Sequence, residues 1–132
     1  PKKILDMSDA QFRKAGLSRQ KIAAFRSIAT AFEGKLVLPR ALGKMTTNEV
    51  IENVTQIRGV GDWTAHMLLI FSLGRADILP VGDYGLVKAV RDLYGLEALP
   101  KKDEFEEIAS KWRPFASVAS WYLWRSYDTL DF

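Results

Sequence analysis

The residues best suited to chemistry lie in the stretch Ile57–Thr64, which reads IRGVGDWT. Gly59 and Gly61 stand one residue apart, and glycine permits positive φ and the close approach of another backbone. A helix that starts after such a turn points its first N–H groups outward, and its dipole favours anions. This arrangement suits a phosphate group. From the two glycines alone, however, a tight connection between helices with no further role is the preferred interpretation.

Asp83 is the second candidate, because a carboxylate can stabilise developing positive charge and activate water. It follows Pro80 and Gly82 and precedes an apolar helical pattern, so its ordinary role is the N-cap of a helix that starts at Tyr84. The two roles are compatible, since a helix N-terminus stabilises a negatively charged side chain. The sequence alone favours the capping role of Asp83 over the chemical role.

Aromatic side chains make up the third group of candidates. Aromatic residues at helical spacing usually pack in a core, and this is our interpretation of Trp121 and Tyr122. An electron-rich ring can instead stack on a cationic ligand, with a gain of roughly 0.5–2 kcal/mol. We keep this second role open for Trp63, beside the glycine turn, and for Trp124.

The glycine turn lies between two helical patterns. Before it, apolar residues recur at helical steps over Val50–Ile57, after a capping box at Thr46–Glu49. After it, the segment Trp63–Leu73 is apolar almost all round, which is typical of a buried helix, and Asp62 is placed to cap it. We therefore expect a helix, a very short turn and a second helix that ends at Gly74.

The remaining segments also show helical rather than strand periodicity, with short connections between them. The expected fold is all-α: one domain over residues 1–132, a multi-helix bundle of about seven helices that contains the hairpin of helices. Beyond the hairpin, the expected elements are a short helix from the Ser8–Gln11 capping box to Gly16, a helix from Ser18 to Gly34, a loop over 35–45, a helix over Tyr84–Tyr94 closed by Gly95, a helix introduced by Pro100–Asp103 and broken by Pro114, and a last helix over Phe115–Tyr127.

Composition excludes several classes of protein. Cysteine is absent, so disulfides, iron–sulfur clusters and cysteine-based zinc sites are excluded. No apolar run is long enough to span a membrane, and no membrane partner is expected. The formal net charge is +3, a mild excess that suits a polyanion without requiring one. Lys14 and Arg26 are interpreted as part of a solvated basic face.

Three separated motifs resemble those of one family. The stretch Ile57–Ala65 resembles the helix-hairpin-helix element of DNA glycosylases, and Leu79–Leu86 is similar to the loop that carries their catalytic aspartate. Trp112–Arg125 is similar to the closing helix of the alkylpurine, or 3-methyladenine, branch. The motifs stand in the right order and the resemblance covers nearly all of the chain. The sequence is identified as a member of the HhH-GPD DNA glycosylase superfamily, alkylpurine branch, and is similar to the C-terminal part of such enzymes.

The resemblance implies a role for each candidate residue. Asp83 is the expected catalytic carboxylate, which helps water to hydrolyse the N-glycosidic bond of a base flipped out of duplex DNA. The base pocket is expected to contain Trp63, Met67 and Trp124. Contacts with the DNA backbone are expected from Arg58, Gly59, Val60, Gly61 and Thr64, and Arg19 and Lys21 are expected near DNA. No organic cofactor is expected, but the carbonyls of Arg58, Gly59 and Gly61 are a candidate site for a structural Na⁺ or K⁺.

Position 63 bears on the type of reaction. Bifunctional members of the family have a lysine there, which attacks the sugar and leads to strand cleavage, whereas this chain has Trp63. The resemblance thus implies a monofunctional enzyme that excises alkylated purines such as 3-methyladenine and 7-methylguanine and leaves an abasic site. Such a purine carries positive charge and leaves easily, so one carboxylate suffices where other glycosidases use two.

Partners and location follow from the same resemblance. Double-stranded DNA with damaged bases is the expected partner, in the bacterial cytoplasm with the nucleoid or in a eukaryotic nucleus. Family members have helices before the point that matches Pro1, so the C-terminal helices are expected to pack against such a segment or a second copy. Two alternatives stay open: a non-catalytic module that binds the DNA backbone, and a helical bundle for protein interaction in which the glycines form only a turn.

Overall fold

The computed structural model describes residues 1–129 of the chain, with side chains up to residue 126. Within that range every element is a helix and none is a strand, so the predicted all-α class is confirmed. The helices are α1 Lys2–Asp6, α2 Asp9–Lys14, α3 Arg19–Glu33, α4 Pro39–Leu42, α5 Thr47–Thr55, α6 Asp62–Met67, α7 Tyr84–Tyr94, α8 Lys102–Ser110 and α9 Ala116–Thr129, with a π-helical segment Leu68–Ser72 directly after α6. None of these described helices is long and apolar enough to cross a membrane.

The chain divides into two compact units, Pro1–Ala65 and His66–Phe132. The first contains α1 to α5, the second contains α7 to α9, and the boundary falls within α6. The expectation of one domain over residues 1–132 stays a prediction.

Helix starts in the first unit follow the capping signals. Both predicted capping boxes are present: Ser8 with Gln11 starts α2, and Thr46 with Glu49 starts α5. The backbone N–H of Thr46, with its side chain, lowers the pKa of Glu49 below its usual value. The sequence patterns do not predict α1 or α4, which lies within the expected loop 35–45, because each is only about one turn long and shows no period.

Arg26 joins α3 to the end of α1. Its guanidinium donates to the carbonyls of Leu5, at 3.3 Å, and Met7, at 2.7 Å, and pairs with Asp9 at 2.9 Å. It also lies 5.3 Å from the centroid of the Phe12 ring. The interpretation of Arg26 as part of a solvated face is therefore wrong, because the side chain is partly buried and satisfies backbone carbonyls. Lys14, by contrast, is exposed as predicted.

In the second unit, α7, α8 and α9 pack around one apolar cluster. Its buried members are Leu86, Ala89, Val90, Phe105, Ala109 and Leu123. The bounds of α7 match the predicted helix, and Gly95 ends it with a φ of 66°. At the edge of the cluster, Trp112 lies edge-on to Phe105 at 5.9 Å and donates its indole N–H to the Tyr94 hydroxyl at 3.2 Å.

Trp121 and Tyr122 lie outside this cluster. Trp121 is 46% exposed and Tyr122 is 65% exposed, so the predicted core role is wrong for both. The buried stripe of α9 instead runs through Ala116, Ser120 and Leu123, at the i, i+4, i+7 spacing of one helix face. The two aromatic rings lie off that stripe and contact each other edge to face, with 5.1 Å between centroids.

Ser117 joins the loop 75–78 to the start of α9. The Ile78 N–H donates to the Ser117 hydroxyl at 2.9 Å, and this hydroxyl donates to the Arg75 carbonyl at 2.6 Å. The Ser117 N–H donates to the Ala76 carbonyl at 2.9 Å. The buried Ser117 side chain thus helps to fix where α9 begins relative to the loop, together with the bond from the Ala116 N–H to Asp77 Oδ1 at 3.2 Å.

We expect Ser117→Ala to lower the free energy of unfolding by about 1–3 kcal/mol, because the buried Ile78 N–H loses its acceptor. Ser120→Ala is a matched control. Ser120 is also buried, but its hydroxyl only donates to the Ala116 carbonyl one turn earlier, so its loss should cost less. Urea denaturation followed by circular dichroism measures both, and equal losses would contradict the anchoring role of Ser117.

Candidate functional site

The glycine turn lies in the six residues, 56–61, that connect α5 to α6. The Val60 N–H donates to the Ile57 carbonyl at 3.0 Å, and the Ala65 N–H donates to the Gly61 carbonyl at 3.0 Å. Helix α6 begins at Asp62, so this residue lies in the first turn of the helix. The capping prediction had placed Asp62 one position before the helix.

The two glycines of the turn are present for different reasons. Gly59 has a φ of 90°, and a Cβ there would lie 2.7 Å from the Cβ of Ala24 on α3, closer than real Cβ atoms approach. Only glycine lets the turn lie this close to α3. A Cβ at Gly61 would meet no atom within 4 Å, so the surface there is open.

The exposed face of the turn has the features of an anion site. Arg58, Gly59, Gly61 and Thr64 are exposed. The first N–H groups of a helix have no partner within it, and the helix dipole favours negative charge. The Val60 N–H is used inside the turn, so Val60 offers no amide donor, and the charge of Asp62 acts against an anion. The turn can therefore offer a phosphate the remaining amides, the Thr64 hydroxyl and the Arg58 charge.

Asp83 lies in the second unit, at the N-cap of α7. Its Oδ1 accepts the Leu86 N–H at 2.9 Å, which confirms the predicted capping role. The same oxygen accepts the indole N–H of Trp124, from α9, at 3.0 Å. The residue is only 9% exposed. A carboxylate this buried needs hydrogen-bond donors, and the second donor is one that capping alone does not require.

Phe71 is a site residue that the sequence analysis missed. Its ring is 5.8 Å from that of the half-buried Trp124, with a tilt of 31°, and it is 59% exposed. It lies four residues after Met67, a spacing that could have singled it out. The expected single helix Trp63–Leu73 changes to a π-helix at Leu68, and π-helical turns are frequent at functional sites.

The predicted pocket residues fall in both units. Trp63 belongs to the first unit and is 52% exposed, whereas Met67 and Trp124 belong to the second and are half-buried. Within the second unit, Trp124 contacts both Asp83 and Phe71.

The carbonyl oxygens of the hairpin are the predicted ligands of an alkali cation, a prediction that stays open. Backbone carbonyls bind K⁺ and Na⁺ in other proteins, and those of Arg58, Gly59 and Gly61 follow one another along the turn. The Gly61 carbonyl already accepts the Ala65 N–H, which leaves it one further acceptor position. Among the described residues, no group of three or more acidic or histidine side chains is placed to hold a metal ion.

The fold and these motifs define a known class of protein. Residues 1–114 match the family model described as HhH-GPD superfamily base excision DNA repair protein. The chain therefore belongs to the HhH-GPD superfamily, as the motifs predict.

Individual relatives are similar over most of the chain. It is 36% identical over 133 residues to DNA-3-methyladenine glycosylase 1 of Schizosaccharomyces pombe, which covers 100% of this chain and 58% of that protein. A structure of S. pombe 3-methyladenine DNA glycosylase in complex with abasic DNA matches 100% of this chain and 65% of its own, with a TM-score of 0.93 and 36% identity. A DNA-3-methyladenine glycosidase structure from Bacillus halodurans matches 98% of this chain and 60% of its own, with a TM-score of 0.81 and 36% identity. The chain thus spans about three fifths of the length of these relatives.

Gly59→Ala should destabilise the first unit, because the added methyl overlaps Ala24 and alanine disfavours a φ of 90°. We expect the free energy of unfolding to fall by about 1–3 kcal/mol. Gly61→Ala, at an open position, should change it by no more than about 0.5 kcal/mol. Chemical denaturation measures both.

A double-mutant cycle separates the two causes. Ala24→Gly removes the methyl that Gly59→Ala would meet, so the double variant should recover the steric part of the loss and show favourable coupling. A Gly59→Ala variant as stable as the unaltered chain would contradict the close packing of turn and helix.

Proposed function

We propose that this chain carries the DNA-binding hairpin and the reactive carboxylate of a monofunctional DNA glycosylase, which excises alkylated purines such as 3-methyladenine and 7-methylguanine from duplex DNA. The observation that carries the proposal is the nearly buried Asp83 carboxylate, held by two N–H donors beside the ring of Trp124. Membership of a base excision repair superfamily supports the reaction class. The identity with DNA-3-methyladenine glycosylase 1 supports the substrate class.

The reaction needs one well-placed carboxylate. As the bond between the sugar C1′ and the base nitrogen breaks, its electron pair leaves with the purine and positive charge builds on the sugar. The charge of Asp83 stabilises this state and orients the water whose oxygen bonds to C1′; the water proton passes to the carboxylate or to solvent. Because an alkylated purine is already cationic, it leaves as a neutral base without a separate acid.

Aromatic rings would select the cationic base. The Trp124 ring is half-buried beside the exposed Phe71, and Trp63 and Met67 are the other expected lining residues. A ring face attracts a cation by roughly 0.5–2 kcal/mol, which corresponds to about 2- to 30-fold preference over a neutral base. Because Trp63 stands where a lysine would attack the sugar, strand cleavage through an amine is not part of the proposed reaction.

The hairpin would hold the DNA backbone. Amides at Gly59 and Gly61, the Thr64 hydroxyl and the Arg58 charge form its phosphate contacts, which position a protein without reading sequence. A Na⁺ or K⁺ held by the carbonyls of Arg58, Gly59 and Gly61 would add positive charge beside that phosphate.

Asp83→Asn tests the proposed reaction. An asparagine still caps α7 and still offers an oxygen to Leu86 and Trp124, so the fold should persist while the charge is lost. We expect release of 3-methyladenine from methylated duplex DNA to fall at least about 100-fold, and salt-dependent DNA binding to remain. Chromatography of the freed bases measures the first, and fluorescence anisotropy the second.

Two outcomes of that experiment would count against the proposal. Full base release by Asp83→Asn would contradict the assignment of Asp83 as the catalytic carboxylate. Absence of release by the unaltered chain, with DNA binding kept, would favour the non-catalytic binding module.

Gly61→Leu tests the hairpin. The position is open, so the fold should tolerate the side chain, but its bulk should keep a phosphate from the turn amides. We expect binding to weaken about tenfold on all DNA sequences alike, the equivalent of one lost hydrogen bond to a charged group. Gly43→Leu, at another open glycine, is the control. Equal affinities of the two variants would refute the phosphate contact.

A further inference from the structure

Trp124 contacts Asp83 through the edge of its ring. The indole N–H lies in the ring plane and donates to Asp83 Oδ1 at 3.0 Å. Stacking on a base would use the face of the ring, which is perpendicular to that direction. The expected stacking role therefore does not account for this hydrogen bond.

The two donors to Asp83 Oδ1 come from different helices. The Leu86 N–H belongs to α7, the helix that Asp83 itself caps, at 2.9 Å. Trp124 lies on α9, 41 residues further along the chain. Because hydrogen bonds are directional, two donors from different elements on one oxygen restrict the rotation of the carboxylate, and so also fix its other oxygen.

Gly85 lies beside this hydrogen bond and leaves the carboxylate oxygen uncrowded. A Cβ at position 85 would lie 3.2 Å from Asp83 Oδ1 and 3.7 Å from Trp124 Cδ1. Its φ is not positive, so the backbone does not require glycine here. Glycine also weakens a helix relative to alanine. An alanine here would make ordinary contact with the indole, but it would crowd Asp83 Oδ1, which would have to move by a few tenths of an ångström.

Helix α9 is held firmly enough to define the position of the indole. Its start is tied to the loop 75–78 through Ser117, and Leu123, next to Trp124, is buried in the apolar cluster. A hydrogen bond weakens steeply with misalignment. These anchors keep the N–H of Trp124 directed at the carboxylate.

We propose that Trp124 is a positioning residue whose indole N–H sets the orientation of the Asp83 carboxylate. This inference rests on the proposed function and adds a role to that of the ring face. Loss of the N–H should slow the chemical step more than it weakens DNA binding, because it leaves the ring face and the hairpin in place.

Trp124→Phe separates the two roles, since phenylalanine keeps a ring face and lacks the N–H. We expect the rate of base release from methylated duplex DNA, at saturating protein, to fall about 10- to 100-fold. The protein concentration for half-maximal rate should change by less than about threefold. Gly85→Ala should also lower the rate of base release at saturating protein, because the added methyl crowds Asp83 Oδ1.

Trp112→Phe is the matched control for this substitution. It removes another hydrogen-bonded indole of the second unit, whose acceptor is the Tyr94 hydroxyl at 3.2 Å. Because neither residue belongs to the site, the saturated rate of this variant should equal that of the unaltered chain.

A spectroscopic measurement tests the contact without reference to activity. In a ¹⁵N–¹H spectrum, the Trp124 indole resonance should shift in Asp83→Ser, whose shorter side chain can still cap α7. The Trp112 indole should stay in place as an internal reference. Gly85→Ala should shift the Trp124 resonance, whereas Gly82→Ala, at a glycine with no atom within 4 Å of an added Cβ, should not.

The outcomes distinguish this inference from the function on which it rests. Normal saturated release by Trp124→Phe, or a loss expressed only as weaker binding, would overturn the positioning role and leave the proposed function standing. A Trp124 resonance unaffected by Asp83→Ser would overturn it as well. Absence of base release by the unaltered chain would refute the proposed function, and the positioning role with it.

Discussion

A carboxylate that is 9% exposed needs hydrogen-bond donors in place of water, and the second unit supplies them at Asp83. The first turn of α7 provides one donor, and the indole of Trp124 provides another. Gly85 leaves the carboxylate oxygen uncrowded, and Ser117 helps to anchor the start of α9, the helix that carries Trp124. The start of α7, the anchoring of α9 and the candidate chemistry of this unit thus meet at the Asp83 carboxylate.

A carboxylate that is held in place also suits the proposed reaction, which needs few catalytic groups. A fixed carboxylate needs no reorganisation when positive charge develops on a sugar, and this kind of prepared electrostatic environment is a large part of many rate enhancements. A cationic purine supplies its own leaving-group activation, so a second acid is not needed. The hairpin contributes in a different way, because the close contact of Gly59 with Ala24 holds an exposed turn whose amides suit a phosphate.

Local signals in the sequence predict most of the fold and part of the site. The capping boxes, the bounds of α7 and the capping role of Asp83 depend on residues three or four positions apart, so they can be read from the chain. The bond from Trp124, the partial burial of Arg26 and the exposure of Tyr122 depend on how distant helices pack, which periodicity does not encode. The ring contact of Phe71 with Trp124 also joins distant parts of the chain, so the four-residue spacing from Met67 is the one local signal for it.

The most direct measurement of the central claim is the affinity of the chain for two duplexes that differ at a single abasic-site analogue. One carries a pyrrolidine ring, which is cationic at neutral pH, and the other carries a neutral tetrahydrofuran. If the Asp83 carboxylate faces the charge that develops on the sugar, the cationic duplex should bind at least about tenfold more tightly, and Asp83→Asn should remove the difference. Equal affinities of the unaltered chain for the two duplexes would contradict the account.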